Sequence, residues 1–335
     1  MNTEEINQYL IDVFHFDPNF TIKDAKNPHL FFYMQAAKTL GIEVNQIPGT
    51  TTAIFKKDER QYFIARAETP LNNYVSAHIA GKKEQTNKIL GLNNIPVPKS
   101  RKVNNIGELT EAYDEFNFSI VVKPDKGIAG RGITILPARE ELQNAWDFCN
   151  EYRNEGSVIV EEYIKGIDYR LLVVKGKTIA VAKRIPASIM GDGKNTIKDL
   201  IILKNIERKK ANMTEITIDD ELKRRLKNDR LELDSIPNAQ QTVYLRYNSN
   251  MSTGGTTEEC FNEVHPYYLK LAEDACKVIG LNLGGVDLIT PDIKDPTVKH
   301  GINEINRAPG LRIHYFPDKG LPQNVAKDIL ISLFS

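Results

Sequence analysis

The sequence predicts an α/β (α+β) protein of several lobes in which antiparallel sheets carry the candidate functional groups. Its 335 residues exceed one minimal domain and suffice for two or three subdomains, each with a buried core. Residues 119–136 are typical of a strand, a glycine loop and a returning strand, and residues 168–183 are typical of a hairpin with its turn at 175–177. A helical pattern over 266–279 has one apolar face, which we expect to pack in a core.

The division of the chain follows from these elements and from its prolines. Pro96 and Pro98 favour an extended connection, because each proline fixes φ and lacks an N–H donor. Residues 194–241 are dense in Lys, Arg, Glu and Asp with helical periodicity, which favours a solvated helical insertion over a binding surface. We predict an N-terminal α/β lobe over 1–81, a helical connector over 82–117, a lid subdomain over 118–165 and a C-terminal catalytic subdomain over 166–335.

Charge and composition exclude several function classes. Lys plus Arg and Asp plus Glu number 44 each, so no net field attracts the protein to nucleic acid or to an anionic membrane. The three cysteines have no spacing typical of a zinc site or a disulfide framework, which favours a reducing compartment. The N-terminus lacks a basic segment and no apolar run reaches about 18 residues. We therefore expect a cytoplasmic protein with no membrane span.

A glycine loop after a strand is the first candidate for a phosphate site. Glycine lets backbone amides approach phosphate oxygens closely, and Lys123 ends the preceding strand, where its ammonium can reach the same phosphates. The spacing matches neither the dinucleotide fingerprint nor the loop that ends in Gly-Lys-Ser/Thr, and many hairpins need glycines for their turns. The strand, the lysine and the loop together favour nucleotide binding, with these glycines in contact: Gly127, Gly130 and Gly132.

A set of oxygen donors near the C-terminal end predicts a metal site. Glu304 and Asn306 lie two apart on a predicted strand, so both side chains project to one face, and Asp287 on a neighbouring strand can reach the same place. Magnesium prefers such a sparse oxygen set, whereas zinc would favour imidazole or thiolate ligands. The alternative is a surface acidic cluster.

Several further side chains are candidates for substrate contacts. Arg184, Arg246 and Arg312 each lie at a strand end or in a turn, where a guanidinium can clamp a phosphoryl group or a carboxylate, although any one of them could form a surface salt bridge. His314 lies near the proposed site, with a capping or core histidine as the alternative. A loop of small donors suits carboxylate recognition, with an ordinary polar loop as the alternative, and its candidates are Asn250, Ser252, Thr253, Gly254 and Gly255.

These motifs together resemble the ATP-grasp superfamily. The resemblance rests on Val122-Lys123-Pro124 with the glycine loop, Val160-Glu161-Glu162-Tyr163, Gly166-Ile167-Asp168-Tyr169-Arg170 and Asn303-Glu304-Ile305-Asn306. Further segments are similar to the ATP-grasp domain of cyanophycin synthetases and to the glutathione-forming lobe of bifunctional glutathione synthetases. They are Arg184-Ile185-Pro186-Ala187, Asn250-Met251-Ser252-Thr253-Gly254-Gly255 and Pro309-Gly310-Leu311-Arg312-Ile313-His314.

The resemblance covers about residues 82–335 and implies a fold in which ATP lies between two antiparallel-sheet lobes. It implies that Lys83 and Lys123 contact the phosphates, that Asp168 meets the ribose, and that Asp287, Glu304 and Asn306 hold two Mg²⁺ ions, with Mn²⁺ as a possible replacement. It also implies that the adenine is lined by Glu161, Glu162, Tyr163 and Ile164.

Three functional hypotheses stay open at this point. The first is an ATP-dependent carboxylate–amine ligase for amino acids or short peptides, acting through an acyl phosphate. The second is a ligase that modifies a peptide or protein docked on residues 194–241, and the third is a nucleotide-binding regulator without turnover. The resemblance also makes a homodimer possible, and it leaves the donor and the acceptor open.

Overall fold

The computed structural model describes residues 3–125, 132–153, 157–210 and 213–335. Two of the predicted phosphate-contacting glycines, Gly127 and Gly130, lie outside these ranges, and Gly132 lies at the edge of one. The side chain of Ser252 also lies outside the described part, although its backbone is included. In the described part, no helix is both long enough and apolar enough to span a bilayer.

The first 81 residues include a three-stranded antiparallel sheet with helices beside it. Asn27 caps one of these helices by accepting hydrogen bonds from the amides of His29 and Leu30, and Pro28 occupies its first turn. The elements are α1 (Thr3–Phe14), α2 (Ile22–Ala25), α3 (Pro28–Thr39), β1 (Glu43–Gln46), β2 (Thr52–Lys57) and β3 (Arg60–Ala65).

The hydrophobic core of this lobe extends beyond residue 81. It includes buried side chains from the last helix and from three strands of the C-terminal sheet, such as Ile329, Leu172, Ala180 and Leu283. The stacked rings of Phe32 and Tyr315, with centroids 3.9 Å apart, join the two regions. The first 81 residues therefore share one core with the end of the chain.

The connector and the lid differ from the prediction in one respect. Residues 82–117 are not a purely helical connector, because β4 pairs with β7 in the four-stranded lid sheet, which has the order β4-β7-β5-β6. Helix α6 packs in the lid core through Leu109 and Ala112. The elements are α4 (Tyr74–Ala80), α5 (Lys83–Leu92), β4 (Ser100–Val103), α6 (Ile106–Glu115), β5 (Ile120–Pro124), β6 (Thr134–Ile135), α7 (Leu142–Glu151) and β7 (Val158–Glu162).

Both connections of the lid contact β14, and the exit connection also contacts the end of β13. On the entry side, the Pro96 carbonyl accepts a hydrogen bond from the Ile302 amide at 2.8 Å. On the exit side, a Cβ at Gly301 would lie 2.7 Å from a methyl carbon of Ile164, and a Cβ at Gly166 would lie 2.6 Å from the carbonyl carbon of Thr290. Glycine is needed at Gly166, because the two backbones approach too closely there for a side chain.

The C-terminal subdomain is built on a five-stranded antiparallel sheet with the order β12-β9-β8-β13-β14. The predicted hairpin has a two-residue turn at Lys175 and Gly176. Both residues have positive φ, as a type I′ turn requires. Helix α10 begins at Pro266 and is closed by Gly280 at φ +83°, as predicted. The elements are β8 (Ile167–Val174), β9 (Lys177–Ile185), β12 (Thr256–Glu259), α10 (Pro266–Ile279), β13 (Leu283–Thr290), β14 (Gly301–Asn306), α11 (Arg312–Tyr315) and α12 (Val325–Phe334).

The charged insertion has a hydrophobic core of its own. Its elements are β10 (Ser188–Met190), α8 (Ile197–Lys210), α9 (Asp220–Asn228) and β11 (Thr242–Tyr244), and the two strands pair with each other. Ile197, Ile201, Leu222 and Leu226 are buried together with apolar residues of these strands. The charge-dense helices are therefore amphipathic, and one of them faces the cleft described below.

Candidate active site

A cleft of about 2110 Å³ separates the lid sheet from the five-stranded sheet, and helix α9 of the insertion forms a third wall. Most of the predicted site residues line it, although they come from distant parts of the chain. They are Lys83, Lys123, Gly132, Glu161, Glu162, Tyr163, Ile164, Asp168, Arg184, Arg246, Asn250, Thr253, Asp287 and Glu304.

Two lysines meet one buried carboxylate on the lid side of the cleft. The Lys83 ammonium, at the first turn of α5, donates to Asn303 Oδ1 at 2.7 Å and lies 3.3 Å from Glu161 Oε2. Lys123 on β5 forms an ion pair with the same oxygen of Glu161. Burial lowers the pKa of Lys123 to about 8, with the Glu161 carboxylate opposing this shift and the Lys83 charge adding to it. Burial opposes ionisation of Glu161, yet the two lysines together hold its pKa below the usual range.

The strand end after Glu161 carries the residues predicted for the adenine. Glu162 forms an ion pair with Lys299 at 2.6 Å, and the Tyr163 amide donates to the Ser119 carbonyl at 2.8 Å. Burial raises the pKa of the Tyr163 hydroxyl, so this ring is uncharged over the physiological range. These side chains form the rim where the lid joins the C-terminal sheet.

A network of alternating charges crosses the floor of the cleft. Arg184 donates to Asp168 Oδ1 at 2.6 Å and to Asp287 Oδ2 at 2.9 Å, and Arg170 pairs with both oxygens of Asp287. Burial raises the pKa of Asp168 despite the nearby Arg184. Burial also opposes ionisation of Asp287, but Arg170 and Arg184 outweigh it and lower the pKa of that carboxyl. Asp168, predicted at the ribose, thus forms a partly buried ion pair with Arg184 in this structure.

The predicted metal ligands lie together on two paired strands. Asp287 on β13 is the register partner of Glu304 on β14, and the Asn306 amide nitrogen donates to Asp287 Oδ2 at 3.3 Å. The Glu304 carboxylate has no hydrogen bond or ion pair within the described part of the chain, so its oxygens are available to a ligand. No cluster of three or more His, Cys, Asp or Glu side chains suited to a metal occurs among the described residues. Two carboxylates and one amide fit Mg²⁺, which takes few protein oxygens and completes its shell with water and phosphate.

Arg246 forms ion pairs and a hydrogen bond that the sequence did not predict. Its guanidinium pairs with Asp219 and Glu221 at the start of α9, both at 2.8 Å, and donates to the Thr217 carbonyl at 2.9 Å. Arg246 is only 3% exposed. It therefore fastens α9 to the segment after β11, although it also borders the cleft.

The loop over 250–255 has a conformation that accounts for its small residues. The Thr253 hydroxyl donates to Asn248 Oδ1 at 2.6 Å, and the Gly255 amide donates to the Asn250 carbonyl at 3.0 Å. Gly254 has φ +99°, and a Cβ at Gly255 would lie 2.7 Å from the Ser249 carbonyl oxygen. Asn250 and Thr253 line the cleft, whereas the two glycines shape the turn behind them.

Among the predicted residues that the structure describes in full, those that do not line the cleft are Asn306, Arg312, His314, Gly254 and Gly255. Arg312 is exposed. Its segment, residues 311–316, packs against the N-terminal lobe and not against the cleft, and the Leu311 amide donates to His29 Nδ1 there at 3.2 Å. His314 is buried, and burial with the nearby Arg170 charge lowers the pKa of its imidazole to about 3. It is therefore a neutral core histidine, which was the alternative considered for it.

Some cleft residues were not predicted from the sequence. The Arg224 guanidinium of α9 lies 3.2 Å from the ring centroid of Phe148 in α7, so the insertion touches the lid across the cleft. Arg170, which contacts Asp287 but does not line the cleft, was also not predicted, although it lies two residues after Asp168 and so shares its face of β8. That two-residue spacing was a usable signal, whereas nothing local indicated the Arg224 contact.

Comparison with known protein families identifies this arrangement of sheets. Residues 88–181 match the family model of the ATP-grasp domain. The chain contains an ATP-grasp domain. The matched span begins in α5 and ends in β9, so it includes the whole lid and the first strands of the five-stranded sheet. The predicted ATP-grasp fold is therefore confirmed.

The ATP-grasp chain is similar to longer enzymes over most of its own length. It is 39% identical over 281 residues to a cyanophycin synthetase of Crocosphaera subtropica, which covers 80% of this chain and 32% of that relative. It is 33% identical over 308 residues to a glutathione biosynthesis bifunctional protein of Clostridium perfringens, which covers 88% of this chain and 39% of that relative. A solved bifunctional glutathione synthetase of Pasteurella multocida matches with a TM-score of 0.65 and 29% identity, covering 90% of this chain and 43% of that one. The chain thus spans well under half the length of these relatives.

Proposed function

We propose that this chain is an ATP-dependent carboxylate–amine ligase, which forms an amide or peptide bond and releases ADP and phosphate. The observation that carries the proposal is one cleft that Lys83 of α5 and Lys123 of the lid line together with the carboxylates Asp287 and Glu304. The similarity to a cyanophycin synthetase and to a glutathione biosynthesis protein supports amino acids or short peptides as the substrates.

The lid side of the cleft would hold ATP. Lys83 and Lys123 supply two ammonium groups within reach of one point, which suits a polyphosphate better than a single carboxylate. Glu161 forms an ion pair with each lysine in the structure, so arriving phosphates would compete with it for them. The strand end over 161–164 borders the same space and would line the adenine.

The floor of the cleft would hold magnesium. Asp287, Glu304 and Asn306 are the proposed ligands of two Mg²⁺ ions, with Mn²⁺ as an alternative, because all three offer oxygen and lie on paired strands. When bound, the metal neutralises negative charge on the transferring phosphoryl group. Arg184, between Asp168 and Asp287, adds positive charge at the same edge.

The proposed reaction has two steps. An oxygen of the donor carboxylate attacks the γ-phosphorus of ATP, the bond to the leaving ADP oxygen breaks, and an acyl phosphate forms. The amine nitrogen then attacks the acyl carbon, loses a proton, and inorganic phosphate leaves. The chain's own residues orient and neutralise these groups, and no covalent bond to the enzyme is needed.

The test is a substrate screen with mass-spectrometric detection of products. Candidate amino acids and short peptides are incubated in pairs with ATP and Mg²⁺, and we expect phosphate release together with a product lighter by one water than the sum of the pair. ATP turnover without any condensed product would contradict the ligase proposal. Nucleotide binding without turnover would instead favour the regulator hypothesis.

A matched pair of variants tests the proposed metal ligands. Glu304→Ala should abolish both phosphate release and product, whereas Glu59→Ala, an exposed glutamate of the β2–β3 turn, should leave both unchanged. Full ATP turnover by Glu304→Ala would show that the metal assignment is wrong.

A further inference from the structure

Arg170 occupies a position from which it controls the carboxylate of Asp287. Arg170 on β8 is the register partner of Asp287 on β13, which is in turn the partner of Glu304 on β14. Side chains directly opposite each other in antiparallel strands share one face of the sheet. The three side chains therefore form a row across three neighbouring strands.

The contact between Arg170 and Asp287 is bidentate. The guanidinium Nε donates to Asp287 Oδ1, and a terminal nitrogen donates to Oδ2 at 3.2 Å. Both side chains are buried, with 8% and 4% of each residue exposed. Two parallel hydrogen bonds fix the plane of a carboxylate as well as its position, which a single donor does not. Arg170 itself does not line the cleft within the described part of the chain, so it can act only through Asp287.

The sheet provides a space for this guanidinium at Gly285. A Cβ at that position would lie 3.1 Å from Arg170 Cδ, 3.3 Å from Arg170 Nε and 2.7 Å from the Cβ of Pro309. Gly285 does not have positive φ, so its backbone conformation does not require glycine. The absence of a side chain at Gly285 is explained by the room that Arg170 and Pro309 need.

We infer that Arg170 is a positioning residue, which holds the Asp287 carboxylate in the orientation required by the metal site. This inference rests on the proposed function, since it takes Asp287 as a metal ligand. Groups that orient a metal ligand without touching the metal change metal affinity by about 10- to 100-fold when they are replaced. Lysine at this position keeps the positive charge but loses the bidentate contact with the carboxylate.

The test measures metal binding directly. Mn²⁺ is titrated into the full-length protein with a non-hydrolysable ATP analogue and followed by electron paramagnetic resonance, for wild type, Arg170→Lys and Gly285→Ala. We expect Arg170→Lys to weaken Mn²⁺ binding about 10-fold or more. Gly285→Ala should weaken it in the same direction, because it displaces the guanidinium without removing it. Arg139→Lys, an exposed arginine paired with Asp114, is the matched control and should bind Mn²⁺ as wild type does.

The outcomes separate this inference from the function on which it rests. A lower melting temperature with unchanged Mn²⁺ affinity in both variants would overturn the positioning role and leave a purely structural one. If Arg170→Lys does not fold, Gly285→Ala decides alone, because it keeps the buried charge pair. Failure of the wild type to bind Mn²⁺ beside the nucleotide analogue would overturn the proposed metal site itself, and the inference with it.

Discussion

The buried lysine at the end of β5 predicts an unusual pH dependence for ATP binding. Burial lowers the pKa of Lys123 from 10.5 to about 8, whereas phosphate oxygens favour its charged form. Above about pH 8 the free protein must therefore take up a proton when the nucleotide binds. If only the charged form binds, the observed Kd rises by the factor 1 + 10^(pH − pKa), which is about 30 at about pH 9.5 and close to one at about pH 7.

The assay is isothermal titration calorimetry with a non-hydrolysable ATP analogue between about pH 7 and about pH 9.5. Repeating each titration in buffers of different ionisation enthalpy gives the number of protons taken up, which should approach one at the upper end. Burial raises the pKa values of Cys149, Cys260 and Cys276 to about 12, so these thiols do not titrate in this window.

Lys123→Arg is the decisive variant, because an arginine stays charged over the whole range. We expect its Kd to be weaker than that of wild type but independent of pH. Equal slopes of Kd against pH for wild type and Lys123→Arg, or a wild-type Kd that does not change with pH, would refute the reasoning.

The lowered pKa of Lys123 also affects the stability of the free protein. The unfolded chain binds more protons than the folded one between about pH 8 and pH 10.5, so this lysine makes stability rise with pH in that window.

Three further predictions follow from packing and burial. Arg224→Ala removes the contact with Phe148 and should raise the ATP dissociation rate about 2- to 10-fold in stopped-flow measurements, whereas the exposed Lys227→Ala of the same helix should not. The His314 imidazole has a pKa of about 3 and should keep the NMR shifts of its neutral form between about pH 5 and pH 8; a titration there would show that it is not buried. Deleting residues 1–81 removes half of a shared core and should abolish the cooperative thermal transition seen by circular dichroism, while a sharp transition would disprove the shared core.

The parts of the fold that were predictable are those whose causes are local. The hairpin turn needs positive φ at two adjacent residues, and Lys175-Gly176 supplies them, while Pro266 and Gly280 bound α10 by the chemistry of helix ends. Strand β4 was missed because it pairs with β7, more than 50 residues later, and its own four residues carry no alternation that marks a strand. Distant pairing of this kind overrides local preference.

The candidate site also has parts that local sequence predicts and parts that depend on distant contacts. The period of two along a strand predicts that Glu304 and Asn306 share one face, and the expected pairing of neighbouring strands brings Asp287 to the same place; the register puts Asp287 opposite Glu304. The partners of Arg246 were not predictable, because Asp219 and Glu221 reach it only after the insertion folds back on β11. The prediction that Arg312 lies in the cleft was wrong. Its motif closely follows Glu304 and Asn306 in sequence, but the chain turns towards the N-terminal lobe after Pro309.

The close packing at Gly166 and Gly301 links the lid to the strand that carries a proposed metal ligand. Both connections to the lid contact β14, through Ile302 on the entry side and Gly301 on the exit side, and β14 carries Glu304 three residues after Gly301. The position of the lid and the position of this carboxylate therefore depend on the same few backbone contacts.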